Sequence, residues 1–231
     1  MKSVMKLTLA ASLATTGMTM AAAPAQAQVA GIATSSPEAV IFGSQARIDA
    51  YRQIDTAYAT QLQQISTLRQ EGRTLTQGLD TDGDNNVSQA EADAQPAVLQ
   101  QLEQKQAQIE TIEGPIALAQ LYVIEQLLER YNTAQQQVIT AKSIQVMLTP
   151  DVFQYGAEQA DVTSDILAAL NTAVPTVSVN PPTTYRPRRQ TAQVHQAVNE
   201  LRLLTAQRAA AAQQQAQGTQ PAAPAQQPTG R

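Results

Sequence analysis

The chain has no cysteine, no tryptophan and only one histidine, and it contains two phenylalanines and six tyrosines. Without cysteine it can form no disulfide bond, no thiolate metal site and no thiol nucleophile, so its stability must come from packing. The single histidine, His195, has no second histidine or cysteine with which to share a metal, and we expect a solvated side chain. So few large aromatic side chains favour elongated helices that bury narrow apolar stripes over a thick globular core.

The sequence also lacks the residue patterns of common enzymes. It offers no serine, histidine and aspartate set, no glycine-rich phosphate loop and no convincing pair of catalytic carboxylates. We therefore expect a protein that is not an enzyme, has no catalytic residue and requires no cofactor.

The first 27 residues have the layout of a cleavable secretory signal. Lys2 and Lys6 form a short positive region, an apolar segment covers 7–20, and Ala25-Gln26-Ala27 provides a small-residue cleavage motif. We predict cleavage after Ala27 and a mature periplasmic chain; an uncleaved anchor or a disordered leader is the alternative. No later segment is long and apolar enough for a membrane helix, so we expect no transmembrane segment in the mature chain.

Charge is distributed unevenly along the mature chain. Residues 28–180 carry 7 basic and 18 acidic side chains, whereas residues 181–231 carry six arginines and one glutamate. An acidic body with a basic tail is a poor binder of nucleic acid, and we expect no nucleic-acid partner. We interpret the cluster of Arg186, Arg188 and Arg189 as a solvated linker. Contact with the acidic body, with anionic lipid or with a polyanion is the alternative.

Apolar residues recur every three or four positions in two long segments, 45–77 and 92–141. Such stripes are typical of coiled-coil-like helices, and a short acidic turn between them predicts an antiparallel helical hairpin. Gly114-Pro115 interrupts the second segment, where we expect a kink or a split into two helices.

Short elements flank the two long segments. Val29–Ser35 is small and partly β-branched, which indicates a strand, and Ser36-Pro37-Glu38 has the chemistry of a helix start. Alternating apolar residues over 144–148 and a second run over 152–155 predict a β-hairpin. Capping residues at 161–165 then predict a last short helix over 166–171.

The acidic turn between the long segments follows the twelve-residue pattern of an EF-hand calcium loop. A hard cation needs six or seven oxygen ligands, which carboxylates, a main-chain carbonyl and a bound water can supply. The sixth position holds Asn85 in place of the usual glycine, and asparagine tolerates the left-handed conformation better than most residues. The predicted Ca2+ ligands are Asp80, Asp82, Asp84, Asn86, Ser88 and Glu91.

A second interpretation of this turn involves no metal. An acidic loop rich in glycine and asparagine also suits the exposed tip of any helical hairpin. Ser88-Gln89-Ala90-Glu91 has the pattern of a capping box for the following helix. EF-hands usually work in pairs, and the sequence has one such loop.

Two segments near the end of the helical region identify a family. The strand turn IQVMLTPDVFQYG over 144–156 and the closing DVTSDILAALN over 161–171 resemble the Skp/OmpH family of periplasmic chaperones, which hold unfolded outer-membrane proteins. The resemblance covers about residues 28–175. It implies a mainly α fold with a small β body, from which a long antiparallel helical hairpin projects as a tentacle. It also implies a homotrimer joined through the β bodies.

The resemblance divides the chain into four parts. Residues 1–27 are the signal peptide, and residues 28–46 with 143–175 form the small β/α body. Residues 47–142 form the hairpin arms, with the acidic tip loop at 80–91. Residues 176–231, rich in proline, glutamine and alanine, form a largely disordered tail that can hold a helix over 190–217.

The expected function is that of a holdase, which binds unfolded outer-membrane proteins and keeps them from aggregating. Calcium at the arm tip would modulate it by making the tip rigid. Well-known family members are strongly basic, so electrostatic client capture of their kind does not carry over to this acidic body. The alternative function is a structural or adaptor protein of the envelope, with a helical hairpin and a calcium-binding tip.

Overall fold

The computed structural model describes residues 31–152 and 158–218. The signal peptide with its cleavage site after Ala27, most of the second run expected to be a strand, and the last 13 residues lie outside the described part. The strands are β1 (Ile32–Thr34) and β2 (Val146–Leu148). The helices are α1 (Pro37–Gly43), α2 (Gln45–Ala57), α3 (Ala59–Leu79), α4 (Gln89–Ala94), α5 (Pro96–Ala141), α6 (Thr163–Ala173) and α7 (Arg189–Gly218). The fold is therefore mainly α with a small two-stranded sheet.

Helix α1 begins as its sequence predicts. Ser36 has an extended backbone, its Oγ accepts a hydrogen bond from the Ala39 N–H at 3.1 Å, and Pro37 occupies the first turn. Proline loses nothing there, because an N–H in the first turn has no partner within the helix. The predicted helix start is confirmed.

The first long segment forms two helices where the sequence predicts one. Tyr58 separates α2 from α3, with φ −106° and ψ 19°. The Tyr58 N–H still bonds to the Ile54 carbonyl, and the Leu62 N–H bonds to the Tyr58 carbonyl, both at 2.9 Å. The apolar stripe continues across the break, which explains why periodicity did not reveal it.

Helix α5 is continuous through Pro115, so the expected split into two helices is wrong. Proline removes one backbone donor and leaves the carbonyl four residues earlier without its helical partner. Gly114 and Pro115 lie on the exposed side of α5, where water can bond to that carbonyl. At 1.5 Å per residue, a helix of this length spans about 70 Å.

Helix α3 runs antiparallel to the N-terminal half of α5. Arg69 pairs with Glu113 and Lys105 pairs with Glu71, each with a nitrogen–oxygen distance of 2.5 Å. The residue number falls along α5 as it rises along α3, which defines the antiparallel direction. We call residues 59–79 and 96–117 the arm.

The two strands form a parallel pair, a pairing that the sequence analysis did not predict. Ile32 lies opposite Val146, and Thr34 lies opposite Leu148. Pro150–Val152 forms a 3-10 turn, and the rest of the second predicted strand, 153–155, lies outside the described residues. β2 therefore pairs with the strand at the start of the chain.

The core lies where α1, α2, α6 and the C-terminal half of α5 meet. The fully buried apolar side chains there are Val40, Ile41, Ile54, Val123, Ile124, Leu127, Ile166 and Leu170. Helix α7 adds Val194 and Val198, so the segment 176–231, expected to be largely disordered, contributes to the core. Its valines lie four positions apart on one helix face, and that face is buried against the body. Among the described residues, no helix combines the length and apolar character needed to cross a membrane.

Replacement of Leu170 by alanine tests this core. Leu170 is 0% exposed, and its truncation leaves a cavity, so we expect Leu170→Ala to lower the free energy of unfolding by about 2–5 kcal/mol. Leu203 is 64% exposed, and Leu203→Ala should change the free energy of unfolding by less than about 0.5 kcal/mol. Urea unfolding followed by circular dichroism gives both values. Equal effects of the two substitutions would contradict this description of the core.

Candidate functional site: the arm and its tip loop

The tip loop connects α3 to α4 and gathers three carboxylates. Side-chain oxygens of Asp80, Asp82 and Asp84 all lie within 4.8 Å of one another. Asp82 and Asp84 are exposed, and Asp80 is half-buried. Three carboxylates this close repel one another unless a cation or hydrogen-bond donors offset their charge.

Backbone N–H groups of the loop provide such donors. Asp80 accepts from the N–H of Gly83 at 2.8 Å and from the N–H of Asn85 at 2.9 Å. Asp82 and Asp84 each accept from the N–H two residues later, at 3.1 and 2.7 Å. Asn85 has φ +64°, so the sixth loop position adopts the left-handed conformation for which a glycine is usual.

Glu91 does not belong to the carboxylate cluster, but it reaches the same loop, where its Oε1 accepts from the Asp82 N–H at 3.3 Å. Its Oε1 accepts from Thr81 N and Oγ1 at 2.6 and 2.7 Å, and its Oε2 accepts from Ser88 N and Oγ at 2.9 and 2.8 Å. Ser88 and Glu91 form the predicted capping box of α4. Of the six predicted ligands, the structure brings Asp80, Asp82 and Asp84 together. Asn86 donates its N–H to Asp84, and Ser88 bonds to Glu91.

These hydrogen bonds determine the acidity of Glu91. The backbone N–H of Ser88, the Thr81 hydroxyl and the Thr81 N–H all favour the ionised form, and they lower the pKa of Glu91 from 4.5 to about 2. The carboxylate is therefore ionised across the range in which most proteins are folded.

The arm has a shallow groove of about 640 Å³ between α3 and α5. Glutamine, threonine and apolar side chains line it, its accessible surface is mainly apolar, and none of the lining residues is charged. They are Gln63, Gln64, Thr67, Leu68, Ala107, Gln108, Thr111 and Ile112. Such a surface can contact an unfolded chain at many points without selecting one sequence.

A buried carboxylate lies on α5 beyond the arm, in the body half of the helix, and sequence reasoning missed it. Glu125 of α5 is 9% exposed and accepts from Arg188 Nε at 2.5 Å, Tyr185 Oη at 2.8 Å and Thr191 Oγ1 at 3.0 Å. Burial by itself raises the pKa of Glu125, but the hydrogen bonds from Arg188, Tyr185 and Thr191 outweigh it and lower the pKa.

The uneven charge of the chain was the available signal, since contact of the arginine cluster with the acidic body was one alternative. The solvated-linker interpretation is wrong for Arg188.

His195 also differs from its prediction. It is half-buried on α7, and its Nε2 lies 3.2 Å from Gln120 Oε1 and 3.3 Å from Asn199 Nδ2. Burial, with a smaller contribution from Arg202, lowers the pKa of His195. The expected solvated histidine is therefore a packed residue, because α7 docks on α5.

Comparison with known proteins defines the class. The family of outer membrane proteins described as OmpH-like matches residues 31–170, which is more than half of the chain. The chain belongs to the OmpH-like outer membrane protein family. Among solved structures, it is similar to the 2.83 Å crystal structure of a candidate outer membrane chaperone (OmpH-like) from Caulobacter crescentus. The two chains are 18% identical with a TM-score of 0.39, over 68% of this chain and 90% of the other. No curated protein sequence matches significantly.

The acidity of Glu91 is measurable. We expect its carboxyl carbon to titrate with a pKa of about 2 in NMR spectra of the protein labelled at glutamate. Because this pKa is lower in the folded chain than its ordinary value, the capping bonds stabilise the loop above about pH 4.5, and this contribution is lost as the pH falls towards 2. Thr81→Val with Ser88→Ala removes the hydroxyl donors and should raise the pKa. Titration of the unsubstituted protein near 4.5 would contradict the geometry described.

Proposed function

We propose that the protein is a periplasmic holdase chaperone that binds unfolded outer-membrane proteins and prevents their aggregation. Membership of the OmpH-like family over residues 31–170 carries the proposal. The uncharged groove of the arm supports it, because weak contact at many points suits clients of varied sequence. Holding a client requires no bond to be made or broken, so the proposal involves no catalytic residue and no required cofactor. The envelope location follows from the family and from the signal sequence predicted for residues 1–27.

In this proposal, the client is not attracted by a positively charged cavity. The segment 28–180 carries an excess of 11 acidic side chains, counted as 18 acidic and 7 basic. Apolar and amide contacts in the arm groove would supply the attraction. Such contacts are weakened little by salt, whereas attraction between exposed opposite charges is screened.

Suppression of client aggregation tests the function. A urea-unfolded outer-membrane barrel is diluted into buffer with residues 28–231, and light scattering is followed at low and high salt. We expect suppression at three subunits per client, with little loss at high salt. Leu68→Gln with Ile112→Gln should weaken it, because the pair removes apolar contact from the groove. Leu203→Gln, outside the groove, is the control.

Two outcomes would count against the proposal. If scattering is unchanged at every ratio, the protein is not a holdase for this client, and the envelope adaptor becomes the better hypothesis. If activity disappears at high salt, the client is captured by charge and the role assigned to the groove is wrong.

We also propose that the protein is a homotrimer joined through its β bodies. A two-stranded sheet is marginal by itself, and among the described residues its further backbone pairing is one bridge between Thr34 and Asp161. The paired residues Ile32 and Val146 are 37% and 45% exposed, which is unusual for large apolar side chains of a sheet. Assembly through this sheet would cover them.

A charged substitution in the sheet tests whether the trimer is joined there. An aspartate at a buried subunit contact must lose its hydration, so Val146→Asp should convert trimers into monomers in size-exclusion chromatography with light scattering. Leu204 has a similar exposure of 48% and lies on α7, so Leu204→Asp should leave the trimer intact. A trimer that tolerates Val146→Asp would exclude this surface as the contact.

Calcium at the tip loop is the third part of the proposal. The three clustered carboxylates and the left-handed backbone of Asn85 support it. Glu91 would exchange its present donors for the ion, which predicts weak binding, with a Kd of about 10⁻⁴ to 10⁻³ M. Calorimetric titration with CaCl2 should give binding that Asp82→Asn with Asp84→Asn abolishes. Asp93→Asn, just outside the loop, should leave binding unchanged, and equal loss in both variants would contradict a built site.

A further inference from the structure

The chain continues beyond the family-matched residues and packs on the body. Val174, Val194 and Val198 are at most 8% exposed. Between them, the side-chain amide of Gln126 on α5 donates to the Ser178 carbonyl at 2.8 Å and accepts from the Ser178 N–H at 2.9 Å. We call residues 174–202 the strap.

Glu125 fastens this strap to α5. Its Oε1 binds Arg188 Nε, and its Oε2 accepts from Tyr185 and Thr191, so three strap residues converge on one carboxylate. Thr191 is only 1% exposed, and the ring of Tyr185 packs edge-on against Tyr122 at 5.0 Å between centroids. Without this carboxylate the buried Thr191 hydroxyl and the Tyr185 hydroxyl would lose their acceptor, so the docked strap depends on Glu125.

Two places close to the root of the arm depart from a regular helix, although backbone hydrogen bonds continue across the first of them, Tyr58. Tyr58 separates α2 from α3 in one half of the hairpin. Pro115 removes a helical hydrogen bond from α5 in the other half. The pairing of Arg69 with Glu113 places residue 115 about two helical turns from Tyr58 along the hairpin axis. The root of the arm is therefore the place where bending would cost least.

Helix α7 packs along α5 and reaches the root of the arm. Its contacts advance from Arg188 and Thr191 at Glu125 to His195 at Gln120, so it runs antiparallel to α5. Asn199 and Arg202 then border a cavity of about 610 Å³ that Ile116 and Ile65 also line, one on each half of the hairpin. Arg202 also lies over the Tyr51 ring, 5.6 Å from its centroid, on the body side of the Tyr58 break.

We propose that the strap is a splint that restricts bending of the arm relative to the body, and that Glu125 is the clasp that fastens it. The cavity leaves α7 and α3 incompletely packed, so release of the clasp frees the root of the arm without breaking the core of α1, α2 and α6. The strap would restrict bending whether or not the arm holds a client.

Bending can be measured because the chain has no cysteine of its own. Gln101→Cys and Gln137→Cys place spin labels on exposed positions of α5, on either side of Pro115. A straight helix separates the two positions by about 54 Å. Double electron–electron resonance, with labelled chains diluted into unlabelled ones, should give a narrow distribution near this distance. In Glu125→Ala it should broaden and shift to shorter distances.

Glu129→Gln is the matched control. Glu129 also binds Arg188, at 2.7 Å, but both side chains are more than half exposed, so this ion pair contributes little. For Glu129→Gln we expect the same distance distribution as for the unsubstituted protein. Broadening as large as in Glu125→Ala would overturn the assignment of the clasp.

Removal of residues 189–231 tests the splint itself. With circular dichroism as a check that the remaining helices are folded, the truncated chain should show a distribution at least as broad as that of Glu125→Ala. A distribution as narrow as in the full chain would overturn the proposal. In Glu125→Ala, we also expect hydrogen exchange of the 190–202 amides to lose protection, and unchanged protection would show that Glu125 does not fasten the strap.

Discussion

Burial of one stripe on helix α5 is the constraint on which the rest of the structure depends. The C-terminal half of this helix presents Val123, Leu127, Ala134 and Val138 to its neighbours, all at most 7% exposed. A chain with two phenylalanines and no tryptophan cannot build a deep core, so several short helices must share one long helix as their common surface. Helices α1, α2, α6 and α7 each contact α5 or a helix that packs on it, and each buries only a few side chains.

The same helix serves two different environments along its length. Its body half is buried by apolar partners, and its arm half packs mainly on α3, beside which exposed glutamines and threonines predominate. The change occurs close to Gly114-Pro115. A helix that is well covered at one end and weakly covered at the other needs support at the transition, and α7 lies there.

Local chemistry made some features predictable and hid others. The cap of Ser36 and the capping box of Ser88 with Glu91 each involve residues within one helical turn, and the structure confirms both. The partner of β2 and the clasp at Glu125 depend on residues that lie far apart in the sequence. The break at Tyr58 escaped prediction because the apolar stripe crosses it unchanged. The full set of calcium ligands stays a prediction, since the loop geometry gathers three of the six residues.

The parallel pairing of β1 with β2 also orders the events of folding. Ile32 and its partner Val146 are separated by 114 positions, and nearly all the chain between them belongs to helices that can form from local contacts. Closure of such a long loop is slow compared with helix formation. During synthesis from the N-terminus, β1 has no strand to pair with until both long helices have followed it. The sheet therefore forms late, and until then its apolar edge is open to other chains.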